Sequence, residues 1–246
     1  MFWVIAISIF LLLNWKSLPF AWHLRVFHAW LKHAPSKSSK PVRIQPPGTV
    51  FKPTTTSSRT SLLECDFNLH KSNSTYFADL DISRGALIYA QLSQGVHSRA
   101  LAKELKGSGV LILGGVVCSF KREIVPLGSY DMESRILTWD RKWIYITTHF
   151  VRKGQTSHFD LDSALTPKEG DNKVKPVVYA SAVSRYVFKC GRLTIPPEKL
   201  LVASGLLASE FDAAVEARGW NWSKVEEERQ RRLGSVVDCF GRDGVM

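Results

Sequence analysis

The sequence predicts an α+β domain in which one long helix is followed by an antiparallel meander. Three observations carry that prediction. Residues 74–92 form a single helical stretch with a broad apolar stripe. Four runs of period-2 alternation follow between residues 116 and 189. The links Pro126-Leu127-Gly128 and Trp139-Asp140-Arg141-Lys142-Trp143 are turn-like and too short to hold crossover helices. Strands that follow one another after a helix, instead of alternating with helices, mark the α+β class, with the helix on one face of the sheet. The chain has 246 residues, room for one good-sized core with extensions at both ends.

The net charge of +11 is unevenly spread. Residues 1–60 hold eight Lys and Arg with no Asp or Glu, whereas the remainder carries 25 basic and 22 acidic groups. A nucleic-acid binder displays its basic surface on the folded domain. Here the charge sits on the N-terminal arm, which points to a membrane surface and to no nucleic-acid partner.

Phe2 to Leu13 is apolar apart from Ser8. Twelve helical residues reach only ~18 Å, against a hydrocarbon core of ~30 Å. No basic segment precedes this run and no small-x-small cleavage pattern follows it, so it reads as an anchor and not a signal peptide. From Phe20 to Lys32, Phe20, Leu24, Phe27 and Leu31 share one helical face, while Arg25, His28 and Lys32 share another. Trp3, Trp15, Trp22 and Trp30 suit a membrane–water boundary. Residues 1–33 are therefore expected to form a short membrane helix followed by an amphipathic helix on the surface. The basic residues follow the apolar run, which puts the main domain on the cytoplasmic side. Residues 34–58, rich in Pro, Ser and Thr, read as an extended tether.

A domain over residues 59–190 comes next. Residues 59–66 read as a short strand, and Ser74 or Asn73 can cap the long helix, with Asp79 and Asp81 early in it. Tyr76, Leu80, Leu87 and Ala90 follow one stripe, widened by Phe77, Ile88 and Leu92. The strands are expected at Val116–Val125, Ser129–Trp139, Trp143–Arg152 and Val177–Lys189. Gly154 to Pro176 exceeds a hairpin loop and is either a lid or an insertion without a catalytic role. Residues 191–246 form a helical extension that begins near Pro196-Pro197-Glu198. Within it, the pairs Glu227–Arg231 and Glu228–Arg232 suggest a solvated charged face.

Several chemistries leave no trace. Cys65, Cys118, Cys190 and Cys239 are far apart with no C-x-x-C, so neither zinc nor a redox pair is predicted; a disulfide stays open. No metal cluster of the His-Glu-x-x-His kind and no Gly-x-Ser-x-Gly elbow occur. The glycines from Gly107 to Gly115 flank a strand instead of leading one into a helix, so they mark a bend and not a dinucleotide site. No cofactor is expected.

The stretch from Asp66 to Tyr76 is the informative one. Within eleven residues it sets Asp66, His70, Asn73 and Tyr76 at the entrance to the long helix. A carboxylate there can act as base or nucleophile while free N–H groups of the first helical turn hold a developing oxyanion. This pattern resembles the signature of hotdog-fold thioesterases of the hydroxybenzoyl-CoA type, in which Asp is followed by His four residues on, then by paired Asn and by Tyr. Ser72 stands for the first Asn and Leu69 for a Gly. The chain is also similar to membrane-anchored thioesterase-like proteins, fungal members of which occur in secondary-metabolite clusters. That likeness rests on Lys16-Ser17-Leu18-Pro19, Trp22-His23-Leu24-Arg25, Asp66, Leu69-His70, Asn73, Tyr76 and Arg84.

The resemblance implies a hotdog fold, an antiparallel sheet wrapped around a central helix, usually paired as a homodimer with the site between subunits. It implies hydrolysis of acyl-CoA or carrier-bound acyl or polyketide thioesters. Asp66 would be catalytic, with His70, Asn73 and Tyr76 binding or orienting the substrate. The bland alternatives are a turn acid at Asp66, a structural His70 and a core Tyr76. Two other readings stay open. One is a non-catalytic acyl-binding or scaffold protein of the same fold. The other is a secreted glycoprotein using the sequons at Asn73 and Asn221.

Overall fold

The structure is a computed structural model that describes residues 1–33, 43–155, 176–208 and 221–240. Its centre is one antiparallel sheet in the order β1-β3-β4-β5-β2, with β6 added against β5. The strands are β1 (Thr54–Arg59), β2 (Gly109–Phe120), β3 (Ser129–Trp139), β4 (Trp143–Arg152), β5 (Val178–Cys190) and β6 (Leu193–Ile195). The helices are α1 (Phe2–Asn14), α2 (Ala21–His33), α3 (Tyr76–Leu87), α4 (Ser93–Val96), α5 (Arg99–Leu105), α6 (Pro197–Ala203) and α7 (Trp222–Phe240). Helix α3 packs on β1, β3 and β4, so the sheet wraps the helix as expected.

Strands β3 and β4 keep their expected bounds, because alternation and a tight hairpin specify both ends. Asp140 closes that hairpin, its Oδ1 accepting the amides of Lys142 and Trp143 at 2.7 and 2.6 Å. Strand β2 runs earlier than expected, from Gly109 instead of Val116. Its glycine-rich half pairs with β5 through a register shift between Leu113 and Gly115. A Cβ at Gly114 would come within 2.3 Å of the Trp143 ring, so the bend needs glycine there.

The first strand is also displaced. The expected strand over 59–66 lies at Thr54–Arg59 instead, and Leu62–Glu64 is a 3-10 turn. A Thr/Ser run reads as linker on composition, but β-branched threonines suit an edge strand, and β1 pairs with β3 from Thr54↔Ser134 to Arg59↔Ser129. Just before it Val50 and Phe51 are buried in the core, Phe51 stacked against Trp139 with ring centroids 6.1 Å apart. The tether therefore ends before Val50, not at residue 58. The Gly154–Pro176 insertion lies mostly outside the described residues.

The long helix is continuous but not uniform. A 3-10 turn at Asn73–Thr75 leads into α3, and a π-helical turn at Ile88–Leu92 joins it to α4. The wider turn rotates the stripe, so Leu87 and Leu92 are buried while Ala90, expected inward, is exposed. Phe77 is also exposed, at 40%. The stripe is not purely apolar. Ser83 Oγ meets Ser134 Oγ at 2.8 Å, and Arg84 donates to Ser184 Oγ at 2.7 Å and to Asp81 at 2.6 Å.

At the C-terminus α7 lies against β3, with Arg229 donating to the Trp139 carbonyl at 2.7 Å. Its charge run is a solvated face only in part: Glu227 and Arg231 are exposed as expected, but the other pair is not. Glu228 and Arg232 pair and are buried, and Arg232 stands 4.3 Å from the Phe51 ring centroid. The long Arg stem covers apolar surface while its guanidinium finds a carboxylate, which is how a helix with many charges still packs.

The N-terminal arm consists of two short helices. No single helix among the described residues is long and apolar enough to cross a membrane; Phe2–Ser17 and Ala21–His33 pass that test only together, bent by 59°. The expected membrane helix over the first apolar run therefore does not meet the length needed to span on its own; α1 exposes Phe2, Trp3, Ile5 and Leu12, and α2 exposes Leu24, Phe27 and Leu31.

Candidate active site

Cys65 and Lys71 form an isolated antiparallel bridge, and residues 66–70 project from it as a tight turn. Asp66 N–H donates to the His70 carbonyl at 2.9 Å, and Leu69 N–H to the Asp66 carbonyl at 3.1 Å. The turn needs one left-handed residue, and Leu69 supplies it at φ 58°. The glycine of the resembling pattern is therefore replaced in identity but not in backbone conformation, at a cost of about 1 kcal/mol.

Asp66 Oδ1 accepts the Asn68 amide at 2.9 Å and the His70 amide at 3.4 Å. These bonds orient the carboxylate, which is exposed and lines a groove of about 520 Å³. His70, Asn73 and Tyr76 line the same groove, so all four expected residues come together there. Across the groove the segment after β2 contributes Phe120 and Lys121 to Glu123. His70 Nε2 reaches Glu123 Oε2 at 2.9 Å, a partly exposed contact at the rim of the groove. The Tyr76 ring, 2% exposed, meets Phe120 and Phe150 edge-on at 5.1 and 4.9 Å. Burial raises the Tyr76 phenol well above its ordinary pKa, so it stays protonated.

The helix entrance is set for an anion. The Thr75 amide is taken by the Ser72 carbonyl at 3.0 Å and the Tyr76 amide by Asn73. The Asn73 and Ser74 amides have no hydrogen-bond partner among the described residues, as the first N–H groups of a helical turn do not. Free N–H groups at a helix start favour negative charge there through the helix dipole.

Beneath the loop lies a buried ionic cluster that sequence reading missed. Lys71 Nζ stands 2.9 Å from Asp79 Oδ2 and 3.2 Å from Glu64 Oε1. Lys16, from the link between α1 and α2, reaches Glu64 at 2.9 Å and Asp79 at 2.8 Å, and Arg25 of α2 reaches Asp79 Oδ1 at 2.7 Å. The Tyr130 hydroxyl donates to Asp79 Oδ2 at 2.5 Å. Burial alone would raise the Asp79 carboxyl, but Lys16, Lys71 and Arg25 outweigh it and hold it well below the usual carboxylate range. Asp79, expected as a helix-dipole acid, is fully buried and fully paired. The only hint in the sequence was that Lys16 and Arg25 fall within the segments carrying the second resemblance.

Residues 60–190 match the family described as the thioesterase-like superfamily. The probable thioesterase atnL of Emericella nidulans is 38% identical over 96% of this chain and 88% of its own length. Thioesterase poxG of Penicillium oxalicum is 37% identical over 87% of this chain and 76% of its own. Probable thioesterase YBR096W of Saccharomyces cerevisiae is 32% identical over 80% and 77%. Among solved structures, the probable thioesterase YbaW of Escherichia coli shares 12% identity over 63% of this chain and 98% of its own, with a TM-score of 0.44.

Proposed function

Since this chain belongs to the thioesterase-like superfamily, we propose that it is a membrane-associated hydrolase of acyl-CoA or carrier-bound acyl or polyketide thioesters, serving secondary-metabolite biosynthesis. The observation that carries the reading is the Asp66 carboxylate held by two backbone amides in the wall of a groove that Asn73, at the start of the helical turn leading into α3, also lines. Asp66 takes a proton from water as the water oxygen attacks the thioester carbon. The carbonyl oxygen, turning anionic, is received by the Asn73 and Ser74 amides. The C–S bond then breaks, and the thiolate leaves with a proton returned from Asp66. His70, tied to Glu123, and the Asn73 side chain orient the thioester, and Tyr76 with Phe120 forms the apolar floor.

A homodimer fits this scheme. Strand β2 is a sheet edge of twelve residues that exposes Val110, Ile112, Leu113 and Val117, and Asp66 is open to solvent in the single chain. Pairing two β2 edges would continue the sheet and cover this apolar surface. The apolar faces of α1 and α2 supply the membrane contact, with the folded domain on the cytoplasmic side.

Incubating the purified full chain with a panel of acyl-CoAs and acyl-carrier thioesters, and measuring free thiol, tests the reading. Turnover of at least one class supports it. Saturable acyl binding without thiol release from any of them would replace it with the acyl-binding alternative, which the exposure of Asp66 favours only if no second copy closes the groove.

A further inference from the structure

From the end of α1 into the link to α2 the chain is pinned to Ser61, Leu63 and Glu64, just ahead of the catalytic loop. Asn14 Oδ1 accepts the Leu63 amide at 2.9 Å, and the Ser17 and Ser61 hydroxyls stand 2.5 Å apart. Lys16 Nζ enters the domain to meet Glu64 and Asp79 and also donates to the Arg59 carbonyl at 3.2 Å. The same two carboxylates hold Lys71, the last residue of the Cys65–Lys71 bridge that closes the turn bearing Asp66 and His70. Lys71 is doubly fixed, since its amide donates to the Ile124 carbonyl at 2.9 Å. The Ser72 amide in turn donates to the Glu64 carbonyl at 2.8 Å. The arm and the loop therefore share one buried charge set, with three cations around two carboxylates.

We infer that Lys16 and Arg25 of the N-terminal arm are positioning residues for the catalytic loop, so that the arm is part of the catalytic unit and not only its attachment. This rests on the hydrolase reading of Asp66 for its effect on rate, but its effect on the loop stands without it. With Lys16 gone, Lys71 becomes the one ammonium shared by Glu64 and Asp79, and its side chain is drawn from its present position. The backbone from Asp66 to Asn73 follows, because Lys71 lies inside it. A displacement of that kind leaves substrate affinity largely intact while misaligning the carboxylate with the thioester carbon.

The test compares the full-length wild type, K16M, the charge-balanced K16M/E64Q and the exposed-arm control K32M. Two quantities are followed, steady-state thioester hydrolysis and amide hydrogen exchange over residues 64–73. K16M is expected to lose about tenfold to a hundredfold in kcat with KM nearly unchanged, since small misplacements cost rate more than binding. Exchange of the loop amides should accelerate by about tenfold while strands β3 and β4 stay protected. K16M/E64Q should recover loop protection and most of kcat, and K32M should match the wild type in both. Unchanged loop exchange in K16M, or a kcat loss with exchange rising equally across the sheet, would overturn the inference. Should K16M fail to fold, R25M removes the cation on the other Asp79 oxygen and takes its place in the comparison. If the wild type hydrolyses no thioester, the hydrolase reading falls, and the exchange comparison alone decides whether the arm positions the loop.

Discussion

Lys16 Nζ lies 2.8 Å from Asp79 Oδ2 although 63 positions separate the two residues. The contact fastens the arm to the first full turn of the central helix, inside a protein interior where Asp79 has no exposed surface. Asp79→Asn leaves Lys16, Lys71 and Arg25 gathered around a neutral amide. Removing one partner of a buried ion set costs about 3–5 kcal/mol. Chemical denaturation of D79N should show a loss of that order with an unchanged m-value. A loss under about 1 kcal/mol, the size of a surface pair, would mean that the cluster is solvated.

Leu69 holds a backbone conformation that glycine adopts without penalty, at φ 58°. Leu69→Gly removes that strain but adds freedom to the unfolded chain, so a net stabilisation of about 0.5 kcal/mol is expected. Thermal unfolding of L69G measures it. A clear destabilisation would show that the exposed leucine makes a contact outweighing its backbone cost.

Gly95 lies where α4 crosses α6. A Cβ there would meet Ser204 Oγ at 2.2 Å and the Leu200 carbonyl at 2.6 Å. Gly95→Ala should therefore destabilise by about 1–3 kcal/mol, despite the better helix propensity of alanine. Equilibrium unfolding decides the sign, and stabilisation would contradict the close approach.

His149 on β4 sits between Ser181 at 2.9 Å and Thr147 at 3.4 Å. Burial, aided by Arg135 and Lys121, pushes its pKa from 6.5 down to about 4. Between those values the unfolded chain takes up a proton that the folded chain does not. Stability should then fall as pH is lowered through this window and be regained above it. His149→Gln, which titrates nowhere in the window, should flatten the melting-temperature profile between about pH 7 and pH 5. An equal slope in both proteins would place the titrating group elsewhere.

Legibility in the sequence followed the range of each interaction. Strands β3 and β4 were readable because alternation and a short hairpin are local signals, and the helix entrance was readable because a motif marks it. Asp66, His70, Asn73 and Tyr76 line one groove because they lie within a single turn and the helix start that follows. What escaped depends on partners distant in sequence. Thr54–Arg59 looks like linker until β3 is beside it, and a cut at residue 59 would remove both that strand and buried Phe51. Ala90 looks inward-facing until a π turn rotates the stripe. Glu228 and Arg232 look solvated until α7 meets β3. Lys16, Lys71 and Asp79 look like ordinary charges because no local pattern reveals that three segments bury them together.

The central claim concerns one carboxylate. Asp66→Asn keeps the size of the side chain and an oxygen able to accept the Asn68 amide, but it cannot take a proton from water. Single-turnover release of thiol from an acyl-CoA that the wild type hydrolyses should fall by about 10²–10⁴-fold in D66N, with substrate affinity little changed. Equal single-turnover rates in the two proteins would contradict the account.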